Sequence, residues 1–180
     1  QIGDIKATVR TDLGDDWLLC NGESVSETLY PELYTLLLAT PDGTWTANKH
    51  GTSSLYGVAY GNGYWVAVGE SGTLYYKAGT PDGAWTANKH GSTPMRGVAY
   101  GDGYWVAVGD DGKLYYKAGT PNGAWTPNNQ GTSYLYGVAY GNGYWVAVGS
   151  GGTLYYKAGA PSGTWTANKH GTSSLYGVAY

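Results

Sequence analysis

The residues best suited to chemistry in this 180-residue chain recur at intervals of forty. Lys49 and His50 return as Lys89 and His90, then as Asn129 and Gln130. Tyr56 returns as Arg96 and Tyr136, and Ser54 as Pro94 and Tyr134. Tyrosine brings a flat apolar face with a hydroxyl at its tip, whereas arginine brings a planar cation that stacks on rings or pairs with an anionic group. Lysine adds a point charge on a flexible stem, and neutral histidine adds one donor and one acceptor. Such a mixture suits recognition of a carbohydrate or a protein surface. Tyr56, Arg96, Tyr134, Tyr136, His50, His90, Lys49 and Lys89 are therefore the expected ligand-binding residues.

What positions them is a repeat. Thr40–Gly79, Thr80–Gly119 and Thr120–Gly159 align without a gap, and a fourth unit begins at Ala160 and runs to Tyr180. A period of about 40 to 45 residues with several short strands per unit marks a β-propeller blade. The expected fold is all-β, a propeller of four-stranded blades, incomplete in this chain. In the first unit the strands are Gly43–Ala47, Leu55–Tyr60, Tyr64–Val68 and Thr73–Lys77, rich in Tyr, Trp, Val and Thr. Asn62-Gly63 separates the second and third, where a tight hairpin turn needs positive φ at both central residues. Asp102-Gly103 and Asn142-Gly143 repeat the signal.

Tyr64–Val68 has no polar alternation, so both of its faces are expected to be covered by neighbouring blades. Leu55–Tyr60 places Gly57 and Ala59 on one side and Tyr56, Val58 and Tyr60 on the other, and its small residues suit a crowded innermost strand. The strand carrying Trp85 then forms the outer edge, and Trp45, Trp65 and their equivalents are expected to pack between blades. Leu175–Tyr180 supplies only an inner strand for a last blade. Further chain beyond Tyr180, or strands from another chain, is expected to complete the ring, since open edges invite aggregation.

Fourteen columns differ among the three full units. Eight lie between the outer strand and the next inner strand or at that strand's start, and three lie beside the connection of the second and third strands, at Glu70, Ser71 and Thr73. Both connections emerge at the same end of a propeller. One end has diversified on a constant scaffold, as a ligand face does, and as drift in exposed loops also does.

Composition and spacing exclude several classes. A net charge of −3 speaks against a polyanion partner, so no nucleic acid is expected. No apolar run approaches a membrane span, and lone Cys20 forms no disulfide framework. His50, His90 and His170 fall in different units, with Gln130 breaking the series, so no metal site is expected. A glycosidase needs two carboxylates at a set separation, and Glu70, Asp110 and Asp111 read instead as solvated turn residues beside glycine. Sialidase-type propellers gather an arginine cluster, whereas this chain holds only Arg10 and Arg96. The protein is read as no enzyme, with no cofactor.

Gln1–Ala39 has a different character, with a strand-like Ile5–Val9, an acidic turn and a short helical pattern over Pro31–Leu38. Gly14-Asp15-Asp16-Trp17-Leu18-Leu19-Cys20-Asn21-Gly22, then Val25-Ser26 and Tyr30-Pro31-Glu32-Leu33-Tyr34, resembles the opening of the phage tail-collar domain. That family shows Gly-Trp-Leu-x-Cys-[Asp/Asn]-Gly, then Val-Ser, then Tyr-Pro-x-Leu; Asp16 stands where glycine is usual, and the repeats replace the family's later Gly- and Pro-rich part. The resemblance implies a tail-fibre or tail-tip component of a phage or prophage virion, often trimeric, with the α+β collar-like segment 1–39 meeting other tail proteins and the repeats 40–180 meeting a host-surface glycan or protein. The repeats themselves are similar to propeller blades of the Gly-Val-Ala-Tyr-Gly-x-Gly-x-[Trp/Phe]-Val-Ala-Val-Gly type. The alternative is a free lectin-like carbohydrate-binding propeller, secreted or cytoplasmic.

Overall fold

Where Val, Tyr and Trp runs are cut by glycine-containing turns, the chain forms short antiparallel strands. A computed structural model describes residues 47–180; the collar-like segment and Trp45 lie outside them. The first sheet comprises Leu55–Gly61 (β1), Tyr64–Gly69 (β2), Leu74–Ala78 (β3) and Thr86–Ala87 (β4). Met95–Gly101 (β5), Tyr104–Gly109 (β6), Leu114–Ala118 (β7) and Thr126–Pro127 (β8) form the second. Leu135–Gly141 (β9), Tyr144–Gly149 (β10), Leu154–Ala158 (β11) and Thr166–Ala167 (β12) form the third. The described residues thus make three four-stranded antiparallel sheets, each with strands in chain order and no α-helix, a propeller-like all-β arrangement. No helix among them is long and apolar enough to cross a membrane.

The hairpins form as their turn residues dictate. Asn62, Asp102 and Asn142 each take φ of 47°, followed by Gly63, Gly103 and Gly143 at 77°, 78° and 82°. That pair of left-handed residues matches the twist of the flanking strands.

The core lies between sheets. On β2, Val66 and Val68 join Leu74 in a cluster with Met95, Val98, Trp105, Ala107 and Trp125. The next interface repeats it, with Val106, Val108 and Leu114 against Leu135, Val138, Trp145, Ala147 and Trp165. β6 therefore sends its valines to one neighbour and its tryptophan and alanine to the other, which is why the run needs no polar alternation. Trp105 and Trp145 are fully buried between sheets.

Inner strands approach so closely that any side chain at these glycines would be crowded. A Cβ added at Gly57 would lie 3.2 Å from Gly97 Cα, and one at Gly97 would lie 3.2 Å from Gly137 Cα. The series runs on to Gly177, 3.2 Å from a Cβ at Gly137. Tyr180 lies over Gly141 as Tyr140 lies over Gly101, and Leu175 N donates to Gly149 O at 2.9 Å. Leu175–Tyr180 thus docks where a fourth inner strand belongs.

Two features differ from the sequence expectation. The outer strand is two residues long rather than five, because its flanks bond elsewhere: Trp85 Nε1 donates to Pro81 O at 2.9 Å, and Asn88 Nδ2 donates to Pro121 O and Gly123 O at 3.0 and 2.8 Å. Asn48 and Asn128 make the same ties to the turns at Pro81 and Pro161. These asparagines fasten neighbouring sheets at their outer edges. Second, the alternation expected along Leu55–Tyr60 stops at Gly57, because the register shifts between Leu55 and Gly57 and leaves Tyr56 in a bulge. Arg96 and Tyr136 occupy the same bulge in the other sheets.

Candidate functional site

A bulge re-aims the side chain it carries, and here it recurs at the column where the repeats differ most in chemistry. Each bulged residue stands beside the connection that follows the second strand. Glu70 N donates to Ser54 O at 3.0 Å, Asp110 N to Pro94 O at 3.1 Å, and Ser150 N to Tyr134 O at 2.9 Å. The two diversified connections are therefore bonded together at one end of every sheet. Between these bonds and the third strand the chain makes a single 3₁₀ corner, Glu70–Gly72 in the first sheet. Its middle residue is left-handed, with φ of 53° at Ser71, 55° at Asp111 and 61° at Gly151, which restricts that column to residues tolerating such backbone.

At that end the bulged side chains form a ladder. The Arg96 guanidinium lies 4.7 Å from the centre of the Tyr56 ring. Tyr136 and Tyr176 stack at 5.1 Å with 23° between planes, and Tyr134 meets Tyr136 edge-on at 6.5 Å. Tyr56, Tyr134 and Tyr176 are 42%, 43% and 76% exposed.

Each sheet anchors its bulged residue differently. Tyr56 Oη donates to Glu70 Oε1 at 3.0 Å, and Ser54 N donates to Glu70 Oε2 at 3.2 Å. The Ser54 N–H, then the Tyr56 hydroxyl, hold the Glu70 carboxyl below its usual range, while Glu70 pushes the Tyr56 phenol up. In the second sheet Arg96 Nε and Nη2 donate to Asp110 Oδ1 and Oδ2 at 2.8 and 2.9 Å. This two-pronged pairing holds the guanidinium charged. The third sheet has Ser150 at the acceptor position.

The expected binding residues thus divide. Tyr56 and Arg96 are brought into contact, as are Tyr134 and Tyr136, at the same end of neighbouring sheets. Lys49 and Lys89 are exposed on the same connections. His50 and His90 turn instead to the outer edges of the sheets, with ring centres 5.7 Å from Trp85 and 5.9 Å from Trp125, and 6.1 Å from Tyr75 and Tyr115. The Nε2 atoms of both are buried with no hydrogen-bond partner, and burial lowers the His90 pKa. Gln130, at the equivalent position, accepts from Trp165 N at 3.2 Å, so at positions 50, 90 and 130 this column meets an outer-edge tryptophan.

Glu70, Asp110 and Tyr176 were missed as parts of the ladder. A signal for the first two was present: the columns of Tyr56 and Glu70 change together, as Tyr with Glu, Arg with Asp, and Tyr with Ser. Among the described residues no three His, Cys, Asp or Glu side chains are grouped to hold a metal ion.

No family model matches the chain, and no curated protein matches it. The chain is similar in structure to the crystal structure of the computationally designed Ika4 protein, with a TM-score of 0.57 and 14% identity, covering 73% of this chain and 82% of that one. At that identity the likeness speaks for the fold alone.

Proposed function

We propose that the protein is a structural and receptor-binding component of a phage or prophage tail, whose repeats meet a host-surface glycan or protein. In this reading the three sheets are blades of a closed propeller, and Gln1–Ala39 joins the chain to other tail proteins as a trimer. The observation that carries the binding role is the ladder: columns that diversified between repeats lie at one end of the sheets, with Arg96 over Tyr56 and with Tyr134 and Tyr176 against Tyr136, partly exposed. Exposed tyrosines give large contact area at small entropic cost. Repeated weak sites, on several fibres of one particle, add through avidity. The tail assignment is supported by the collar-like residues Trp17–Gly22 and Tyr30–Leu33.

The test is attachment. Purified protein is expected to bind host cells, Tyr134→Ser to weaken that binding, and Asn142→Asp at the opposite end to leave it unchanged. Asp is the proper control there, since Asp102 already holds the same left-handed backbone. Antibody to the repeats is expected to label the tail of the particle in electron micrographs. Equal cell binding by both variants, with particles unlabelled, would sink the proposal.

A further inference from the structure

We propose, resting on the reading above, that the ligand of the ladder is an uncharged saccharide, and that Arg96 is a positioning residue rather than the receptor of an acidic group. A guanidinium recognises a carboxylate through a fork of two N–H groups. In Arg96 one such fork, Nε and Nη2, is already filled by both oxygens of Asp110, at 2.8 and 2.9 Å. Its Cζ lies over the Tyr56 ring, 4.7 Å from the centre. At the tip of that ring the Glu70 carboxylate accepts from the Tyr56 hydroxyl and from the Ser54 N–H. An incoming anion would therefore approach two carboxylates, Glu70 and Asp110, around a cation already compensated.

What the ladder leaves most open to solvent is aromatic, at Tyr56, Tyr134 and Tyr176, beside an Arg96 side chain that is 30% exposed. A pyranose offers the matching chemistry, an apolar C–H face with hydroxyls at its rim, suited to rings whose tips carry hydroxyl groups. A protein partner would call for about 800 Å² of contact on each side, more than a group of five side chains supplies. The first repeat shows that the column also takes an uncharged ring, Tyr56, held by an anionic Glu70, whereas the second uses the charge-balanced Arg96–Asp110 pair.

The experiment is calorimetric titration of purified protein with neutral hexose and N-acetylhexosamine oligosaccharides and with their sialylated or uronate-bearing counterparts, beside the host-cell binding assay. Neutral sugars are expected to bind about tenfold more tightly than acidic ones. Asp110→Asn frees the Arg96 fork and is expected to shift this preference about tenfold towards acidic sugars. The double variant Arg96→Tyr with Asp110→Glu rebuilds the pair of the first repeat, and should keep neutral binding within about twofold. Asn142→Asp, at the opposite end of the sheets where Asp102 already holds the same backbone, should change neither. A parent that prefers acidic sugars, or a folded double variant that loses neutral binding, overturns the inference. Binding to host cells without binding to either sugar class makes the partner a protein and also overturns it, while the receptor reading stands. Absence of cell binding together with absence of sugar binding overturns both.

Discussion

Glu70 and Asp110 occupy one column, and each accepts hydrogen bonds from the residue fourteen positions before it, so the tyrosine or arginine of the bulge is chosen together with its acid. Removing Arg96 alone would leave Asp110 without its counterion at a site that is largely buried, which is why paired variants are the sound probes. The Tyr56–Glu70 pair gives a pH prediction. Because the folded carboxyl titrates below its ordinary value of 4.5, the pair contributes stability above that value and loses it only as pH falls through the lower folded pKa. A carbon-13 NMR titration is expected to place Glu70 below the ordinary carboxylate range. Tyr56→Phe should move it up, and an ordinary titration in both proteins would refute the pair. A second residue-scale prediction concerns Gly101, where an added Cβ would lie 2.2 Å from the Tyr140 ring. Gly101→Ala should cost about 1–3 kcal/mol in urea unfolding, and Tyr140→Ala should relieve part of that clash. The ladder was half legible in the sequence. Tyr56, Arg96, Tyr134 and Tyr136 stood out by their variation, but Tyr176 did not, since it matches the usual residue of its column and is singled out only by stacking on Tyr136.

At the scale of elements, glycine placement and the valine-rich runs predicted the first three strands of each sheet to within a residue or so, because hairpin turns and buried faces are local in sequence. The outer strand was overestimated, because its length is set by Asn88 and Trp85 bonding to turns, and those partners lie up to thirty-five residues away. The bulge was invisible for a different reason: a register shift has no residue signature when Tyr, Arg and Tyr all fill it. The central tryptophan tests the packing. Trp105 is fully buried, and Trp105→Ala should cost about 3–5 kcal/mol. An unchanged melting temperature would refute its place between sheets. His90 tests the outer edge. Its folded pKa is lowered by burial, so the unfolded chain takes up its proton first, and stability should fall as pH drops from the ordinary histidine value of 6.5 towards the lower folded value. His90→Gln copies Gln130 and should flatten that part of the melting-temperature profile; a profile identical to the parent's would count against it.

Across the repeat unit as a whole, hydrophobic clusters belong to pairs of sheets and to no sheet alone, as the grouping of Val66, Val68 and Leu74 with Met95 and Trp105 shows. Stability in such an array is a sum of neighbour interfaces, so it should vary along the chain. The second sheet has a described neighbour on both faces: Trp105 and Ala107 pack towards the first, and Val106 and Val108 towards the third. All four are fully buried. In the first sheet the equivalent inner strand leaves Val58 60% and Tyr60 55% exposed, whereas Val98 is 8% exposed. Local opening of β1 therefore uncovers less apolar surface than opening of β5, although their hydrogen-bond registers are the same. Native-state hydrogen exchange on the full chain should show this order directly. The amides of Val106–Val108 are expected to exchange slowest, at the rate of global unfolding, and those of Leu55–Tyr60 are expected to exchange earlier through sub-global opening. Equal protection of β1 and β5 would mean that the face carrying Val58 and Tyr60 is covered in solution, and that the repeats open as one unit rather than sheet by sheet.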